Sequence, residues 1–423
     1  MADVAVRMAP ERTETVSSWS FLHRVAFRFA CCYWLLYAMP DSGRVSIFSA
    51  FPGGEFVFTP YAKLWHAIVP WVAIHVFGVT GRAATYFPTG SGDTTLDYIL
   101  NLLFVVIAAA ATLLWTVLDR PRRDYRALDG WLRLLVRYTL AFTLFAYGFA
   151  KVFPLQFQPA RFGRLIEPYG EFSPMGVLWS FMGASTAYTI FAGAAEATGG
   201  LLLLFRRTTT LGAMVSFGVL FNVALLNYCY DVPVKLYSTN LVLMALFLLA
   251  ADFRRLANIF VLNRPAPAAP VVEPQFQNPK LRIAALAFCV LFVGYNLYDN
   301  ISGGWKTYRE YYVAPERPPL YGLYDVESGP PGWRKLYVSF AESMAVRTVD
   351  DKLLTFASQY SKGSVLLNKQ DRLTWSRPDA GHVVLQGSLN GAPANIRLRK
   401  IDTNKFLLVN RGFHWINEMP FNR

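Results

Sequence analysis

Residues 131–153 read WLRLLVRYTLAFTLFAYGFAKVF, and residues 184–205 read ASTAYTIFAGAAEATGGLLLLF. Each is an apolar run of the length that crosses a bilayer as a helix, about 17–25 residues. Each also carries an ionisable residue: Lys151 near the end of the first, Glu196 inside the second. Two more apolar runs follow, 211–229 and 234–251, and Asp231 and Lys235 flank the start of the latter. A charge in hydrocarbon costs roughly 2.5–3.5 kcal/mol on insertion scales, so such residues pair or line a polar cavity. The stretch 131–256 therefore reads as a four-helix membrane bundle with a polar pocket.

Composition extends this reading outward. The chain is 54% hydrophobic and only 16% charged, where a soluble domain carries about a quarter charged residues. Further apolar runs at 21–39, 96–118 and 283–298 bring the expected spans to about seven. The run Tyr61–Val79 mixes Lys63, His66, Pro70 and His75 with Trp65 and Trp71. That pattern suits a helix lying in the interface, with a crossing helix as the other reading. The first run starts with His23, Arg24 and Arg28 and ends at Met39-Pro40 without a small-residue cleavage site, so it reads as a retained helix.

The net charge of +13 sits largely in short connectors: Arg120, Arg122, Arg123 and Arg126; Arg206-Arg207; Arg254, Arg255 and Arg264. The positive-inside rule places these on the cytoplasmic side, and alternation then puts everything after residue 300 on the outer side. Acidic residues scattered among the basic ones argue against a nucleic-acid stripe, leaving the lipid bilayer as the expected partner. Residues 264–279, Pro-rich, read as an extended linker. Beyond residue 300 the pattern changes to short alternating runs, such as Leu336, Val338, Phe340 and Ile396, Leu398 against Arg397, Arg399, with Asn-Gly, Lys-Gly and Pro-Gly turns. That pattern predicts an antiparallel β sandwich or barrel. The expected division is 1–130 (N-terminal membrane helices and a surface helix), 131–256 (the bundle), 257–300 (linker and last span) and 301–423 (the β-rich domain).

The four cysteines, Cys31, Cys32, Cys229 and Cys289, lack C-x-x-C spacing and read as small buried hydrophobes. There is no Walker A loop, Rossmann fingerprint, Ser-His-Asp order or zinc pattern. No metal or nucleotide cofactor is evident and no catalytic residue is assigned, whereas a quinone or lipid site would leave no such signature. The candidate pocket or proton site is Lys151, Glu196, Asn227, Asp231, Lys235 and Tyr237. Glu196 lies near mid-membrane among Gly193, Ala194, Ala195, Ala197, Gly199 and Gly200, small residues that let helices approach closely. A structural hydrogen bond is the bland reading of Glu196, headgroup snorkelling that of Lys151, and helix capping that of Asp231. Arg161 and Arg164, on an outer connector, are candidates for an anion or partner contact, or belong to an ordinary solvated loop.

The pattern Gly148-Phe149-Ala150-Lys151, Glu196 with Gly199-Gly200, and the turn Arg206-Arg207 into Leu211-Gly212-Ala213 resemble the DoxX family of membrane proteins. The resemblance covers residues 131–256, under a third of the chain; the family pattern lacks the N-terminal helices and the β domain. It implies a bacterial inner-membrane location and an association with redox systems, including a quinone-linked one. The function expected is a redox-associated component handling a quinone or other small apolar molecule, with a redox partner protein. The alternatives are a small-molecule transporter or channel, and a non-catalytic assembly subunit whose β domain binds a partner.

Overall fold

A computed structural model describes residues 18–39, 53–87, 89–266 and 278–422. Most of the Pro-rich linker, residues 267–277, lies outside the described residues. The helices in chain order are α1 (Phe21–Ala38), α2 (Gly54–His75), α3 (Thr95–Leu118), α4 (Arg126–Val152), α5 (Phe162–Ile166), α6 (Pro174–Ala184), α7 (Thr186–Leu204), α8 (Thr209–Cys229), α9 (Lys235–Ala250), α10 (Phe253–Phe260) and α11 (Pro279–Tyr308). Local chemistry sets several starts. Ser20 accepts from the His23 amide at 3.2 Å, Thr94 and Asp97 form a reciprocal capping box, and Ser173 caps α6 with Pro174 in its first turn.

Among the described residues, five helical segments are long and apolar enough to cross a membrane: α3, α4, α7, α8 with its leading turn, and α11 with the turn that extends it to Val313. A sixth arises if α9 and α10, bent by 81° at their break, count as one. Of the seven spans expected from apolar run length, five or six meet this criterion among the described residues. Helix α9 has 16 residues, roughly 24 Å at 1.5 Å per residue, short of a hydrocarbon core of about 30 Å. Helix α1 has 18 residues, including His23, Arg24 and Arg28, which dilute its apolar character. Helix α2 starts before the predicted Tyr61 and ends at His75. It buries Trp65, Val69 and Ala73 and exposes Phe56 and Trp71.

Two compact units interleave along the chain: residues 1–143, 203–213 and 239–292, and residues 144–202, 214–238 and 293–423. In the first, α1 packs on α3. Buried Arg28 donates to the Tyr125 hydroxyl (2.6 Å from Nη2), to Thr116 Oγ1 (2.9 Å) and to the Asp119 carbonyl (3.0 Å). Arg24 donates to the Arg122 carbonyl at 2.8 Å. The N-terminal arginines therefore sit at the basic connector after α3. The other basic turns also meet partners in this unit, through Thr210 with Asp252, Arg255 with Asp252 (2.6 Å), and Arg137 with Thr209 (3.3 Å). Of the cysteines, Cys31 is buried but Cys229, at the end of α8, is exposed, because the apolar run ends there rather than inside the fold.

In the second unit, eight strands form a closed antiparallel barrel: β1 (Gly322–Ser328), β2 (Trp333–Phe340), β3 (Ser343–Thr348), β4 (Leu353–Ser361), β5 (Ser364–Leu367), β6 (Asp371–Ser376), β7 (His382–Leu389) and β8 (Ala392–Lys400). Each strand pairs with the next, and β8 closes on β1. The inward side chains, Leu336, Val338, Val346, Leu373, Leu385 and Ile396 among them, have no solvent exposure. An eight-strand barrel is just wide enough for side chains to fill. Arg397 and Arg399 point outward to Glu327 and Asp325, as the alternation predicts. Phe340 does not follow it. The β2–β3 register shifts between Tyr337 and Phe340, and Phe340 is exposed. The Asn390-Gly391 turn takes φ of 52° and 78°, the left-handed pair of a type I′ hairpin, and buried Asp371 accepts from its Asn390 amide at 2.7 Å.

Burial pushes the tyrosines of the barrel up, Tyr360 to about 12 and Tyr324 and Tyr337 in the same direction. A raised tyrosine stabilises the fold below its unfolded value, about 10, and loses that contribution as pH rises through the folded value. Residues 315–423 expressed alone are expected to give a strand-type circular dichroism spectrum, with a melting temperature that falls steeply between pH 10 and about 12. A melt insensitive to alkali over that window, or a coil spectrum at neutral pH, would contradict this.

Candidate functional site

The site is built where α4 and α7 come closest. A Cβ added at Gly148 would stand 2.9 Å from the Gly193 carbonyl oxygen and the Ala197 amide. One added at Gly193 would stand 2.5 Å from the Gly148 oxygen and 2.7 Å from Lys151 Cβ. No side chain fits at either position, so the two backbones pack directly. Lys151 lies three residues after Gly148, and Glu196 three after Gly193. That spacing puts each on the glycine face of its helix, one turn along. The result is a contact of 2.8 Å between Lys151 Nζ and Glu196 Oε2. Their side chains keep only 7% and 4% of their surface exposed.

Around this pair the walls are aromatic. Lys151 Nζ lies 5.6 Å from the Tyr147 ring centre and 5.9 Å from that of Phe157, positions that suit a cation over a π face. Tyr237, at the start of α9, places its ring 6.1 Å from Tyr147. Phe157, Leu178, Met182 and Val232 form an apolar cluster, packed by Trp179, Ala192 and Tyr230. This cluster adjoins the pair through Phe157. Next to Glu196 along α7, Gly199 faces Ser216 of α8, whose Oγ would be 2.9 Å from an added Cβ.

The predicted residues divide as follows. Lys151 and Glu196 meet, and Tyr237 joins their aromatic surround. Asn227 is buried near the end of α8, and its Nδ2 finds no hydrogen-bond partner among the described residues. Asp231 and Lys235 pair with each other at 2.8 Å, but Asp231 keeps 82% of its side chain exposed. The backbone is left-handed at Asp231, φ 50°, while Val232 beside it turns into the apolar cluster. That sends the carboxylate outward, away from Glu196. Arg161 lies 4.5 Å over the Phe340 ring and bonds the Gln158 side chain. Arg164 pairs with Glu167 at 2.8 Å and lies 5.0 Å over Phe172. Among the described residues, no three of His, Cys, Asp and Glu gather as metal ligands. Sequence reasoning missed Tyr147 and Phe157; only their spacing from Lys151 could have pointed to them. It also missed the buried role of Arg28, which it noted only at the start of the first apolar run.

Among curated proteins, an uncharacterized protein of Bacillus subtilis, YwoB, is 36% identical to this chain over 133 residues. The match covers 29% of this chain and 79% of YwoB. The chain belongs to the YwoB family. YwoB is described only as uncharacterized, so the relationship transfers no activity to the Lys151–Glu196 site. No family model matches the chain, and no solved structure matches it.

Proposed function

We propose that this protein is a bacterial inner-membrane component whose Lys151–Glu196 pair binds the polar head of a small apolar molecule, a quinone. The observation that carries the reading is the pair itself: two charged side chains, almost wholly buried, 2.8 Å apart between helices long enough to cross a bilayer. A buried ion pair is weak evidence for stability, since apolar residues of similar volume often do as well. An ammonium held against a carboxylate and walled by Tyr147 and Phe157 suits a planar ring bearing a carbonyl. Lys151 Nζ donates to the carbonyl oxygen, and Glu196 compensates the lysine charge so that the hydrogen bond is charge-assisted. The resemblance of residues 131–256 to the DoxX family supports a redox association. The gathering of Arg24, Arg28, Asp119 and Arg122 at one end of α1 and α3 supports a cytoplasmic side for the connector after α3.

The test is titration of the full chain in nanodiscs with a short-chain ubiquinone or menaquinone analogue, followed by quenching of tryptophan fluorescence. Saturable quenching is expected in the native protein. Glu196→Gln should stay folded, with a smaller loss of melting temperature than Glu196→Ala because its amide oxygen still accepts from Lys151, and should weaken binding by at least about tenfold, the loss of one charge-assisted bond at roughly 1.5–3 kcal/mol. Linear, non-saturating quenching in both proteins would sink the reading.

A further inference from the structure

The last residues of the chain present an apolar surface that the barrel does not cover. Between Leu407 and Phe421 eight large apolar side chains are exposed, with Trp415 at 91% and Phe413, Ile416 and Met419 close behind. The segment begins with a short helix, α12 (Leu407–Asn410), and is held in shape locally. Arg411 donates to Asn417 Oδ1 at 2.7 Å and lies 4.8 Å over the Phe421 ring. Phe413 and Trp415 stack edge to face at 5.0 Å. A preformed display of aromatic and aliphatic side chains beside a cation is the chemistry of a membrane interface.

Its root lies at one definite end of the unit. Helices α4 and α11 finish side by side: Phe153 packs on Gly304 and Trp305, and the Tyr312 hydroxyl donates to the Pro154 carbonyl at 2.9 Å. The chain leaving α4 then reaches Phe162, and the chain leaving α11 reaches Arg317 and Tyr321. These three line a cleft of about 640 Å³ together with Lys400, Asp402 and Thr403. The Phe162 and Tyr321 rings are 5.0 Å apart. The tail therefore departs from the barrel beside the segments that emerge from two candidate spans. Arg317 and Lys400 line the cleft at that root, and Lys405 follows it in the chain.

We propose that residues 406–422 are an interfacial anchor that docks the barrel on the phospholipid surface, with Trp415, Ile416 and Met419 in the acyl boundary and the root cations on head groups. The proposal rests on the membrane-spanning reading of α4 and α11. Its occupant is the bilayer of the same membrane, because the root adjoins the span ends and the exposed face is mixed aromatic and aliphatic.

The test uses the full chain, with its native cysteines replaced by alanine, in nanodiscs of phosphatidylethanolamine and phosphatidylglycerol. Single spin labels are placed by Trp415→Cys, Met419→Cys, Val290→Cys on the exposed face of α11, and Arg372→Cys on the barrel exterior. Collision with oxygen is compared with collision with a water-soluble nickel complex. The expected result is a severalfold higher oxygen-to-nickel ratio at 415 and 419 than at 372, approaching that at 290. A ratio at 415 and 419 equal to that at 372, with 290 in lipid, overturns the anchor and leaves the membrane reading standing. Shielding of 415 and 419 from both reagents overturns it in favour of a protein contact, including a second copy of this chain. A water-like ratio at 290 overturns both readings at once.

Discussion

Glu196→Ala is expected to lower the unfolding free energy by about 3–5 kcal/mol, the usual loss when one partner of a buried pair is removed and the other charge is left unpaired. The stranded group is the Lys151 ammonium, whose remaining hydrogen-bond partner among the described residues is the Tyr147 carbonyl at 3.4 Å. Lys151→Met should destabilise similarly, because it strands the carboxylate instead. The double variant Lys151→Met/Glu196→Leu should recover most of the loss, since apolar residues of similar volume often replace a buried ion pair at little net cost. Thermal unfolding of the native protein, Lys151→Met, Glu196→Leu and the double variant in one nanodisc composition gives the coupling by a double-mutant cycle. Additive single effects would mean that the 2.8 Å contact carries no coupling energy. Quinone binding should stay absent in the double variant even where stability returns, which separates holding the bundle together from holding a ligand.

Gly193→Ala is expected to have the second large effect, through the backbone. Its new methyl would stand 2.5 Å from the Gly148 oxygen, 2.7 Å from Lys151 Cβ and 2.8 Å from the Val152 amide. Two of these three are main-chain atoms, which cannot rotate aside. Overpacking of this kind costs about 1–3 kcal/mol, and separating α4 from α7 should also stretch the Lys151–Glu196 contact. The reading is therefore a lower melting temperature together with weakened quinone quenching. Gly218→Ala is the matched control: it too is a helical glycine, but nothing lies within 4 Å of its added Cβ. It should be neutral or slightly stabilising, by up to about 1 kcal/mol from helix propensity. Equal effects from the two substitutions would show that close approach at Gly193 is not what positions the site.

Much of the architecture was legible because it depends on short-range patterns. Apolar run length and the scarcity of charge marked α3, α4, α7, α8 and α11. Alternation at Leu336–Val338 and Ile396–Leu398 marked strands, and Asn390-Gly391 marked a hairpin. Where a local rule met a competing one, reading failed. Phe340 continues the alternation in the sequence, yet the register shift near the end of β2 turns it out. Asp231 sits beside a pocket residue in the chain, yet its left-handed backbone aims it away.

The sequence by itself marked Glu196 as needing a partner or neutralisation, because hydrocarbon does not tolerate an uncompensated charge, and left Lys151 either to snorkel to head groups or to supply that partner. It also pointed to antiparallel strands with one buried face in the C-terminal domain, because alternation of period two fits a pleated strand, although α11 runs on to Tyr308 and the first strand begins only at Gly322. Only the tertiary structure decided that the two charges partner each other. They are 45 residues apart, and Lys151 could as well have met Asp231 until the glycine faces of α4 and α7 brought the backbones into contact. Only the tertiary structure decided that the strands close into a barrel rather than stack as a sandwich. Alternation is the same in both, and the difference lies in the pairing of Val326 with Leu398, a contact between the two ends of the domain that no local pattern encodes.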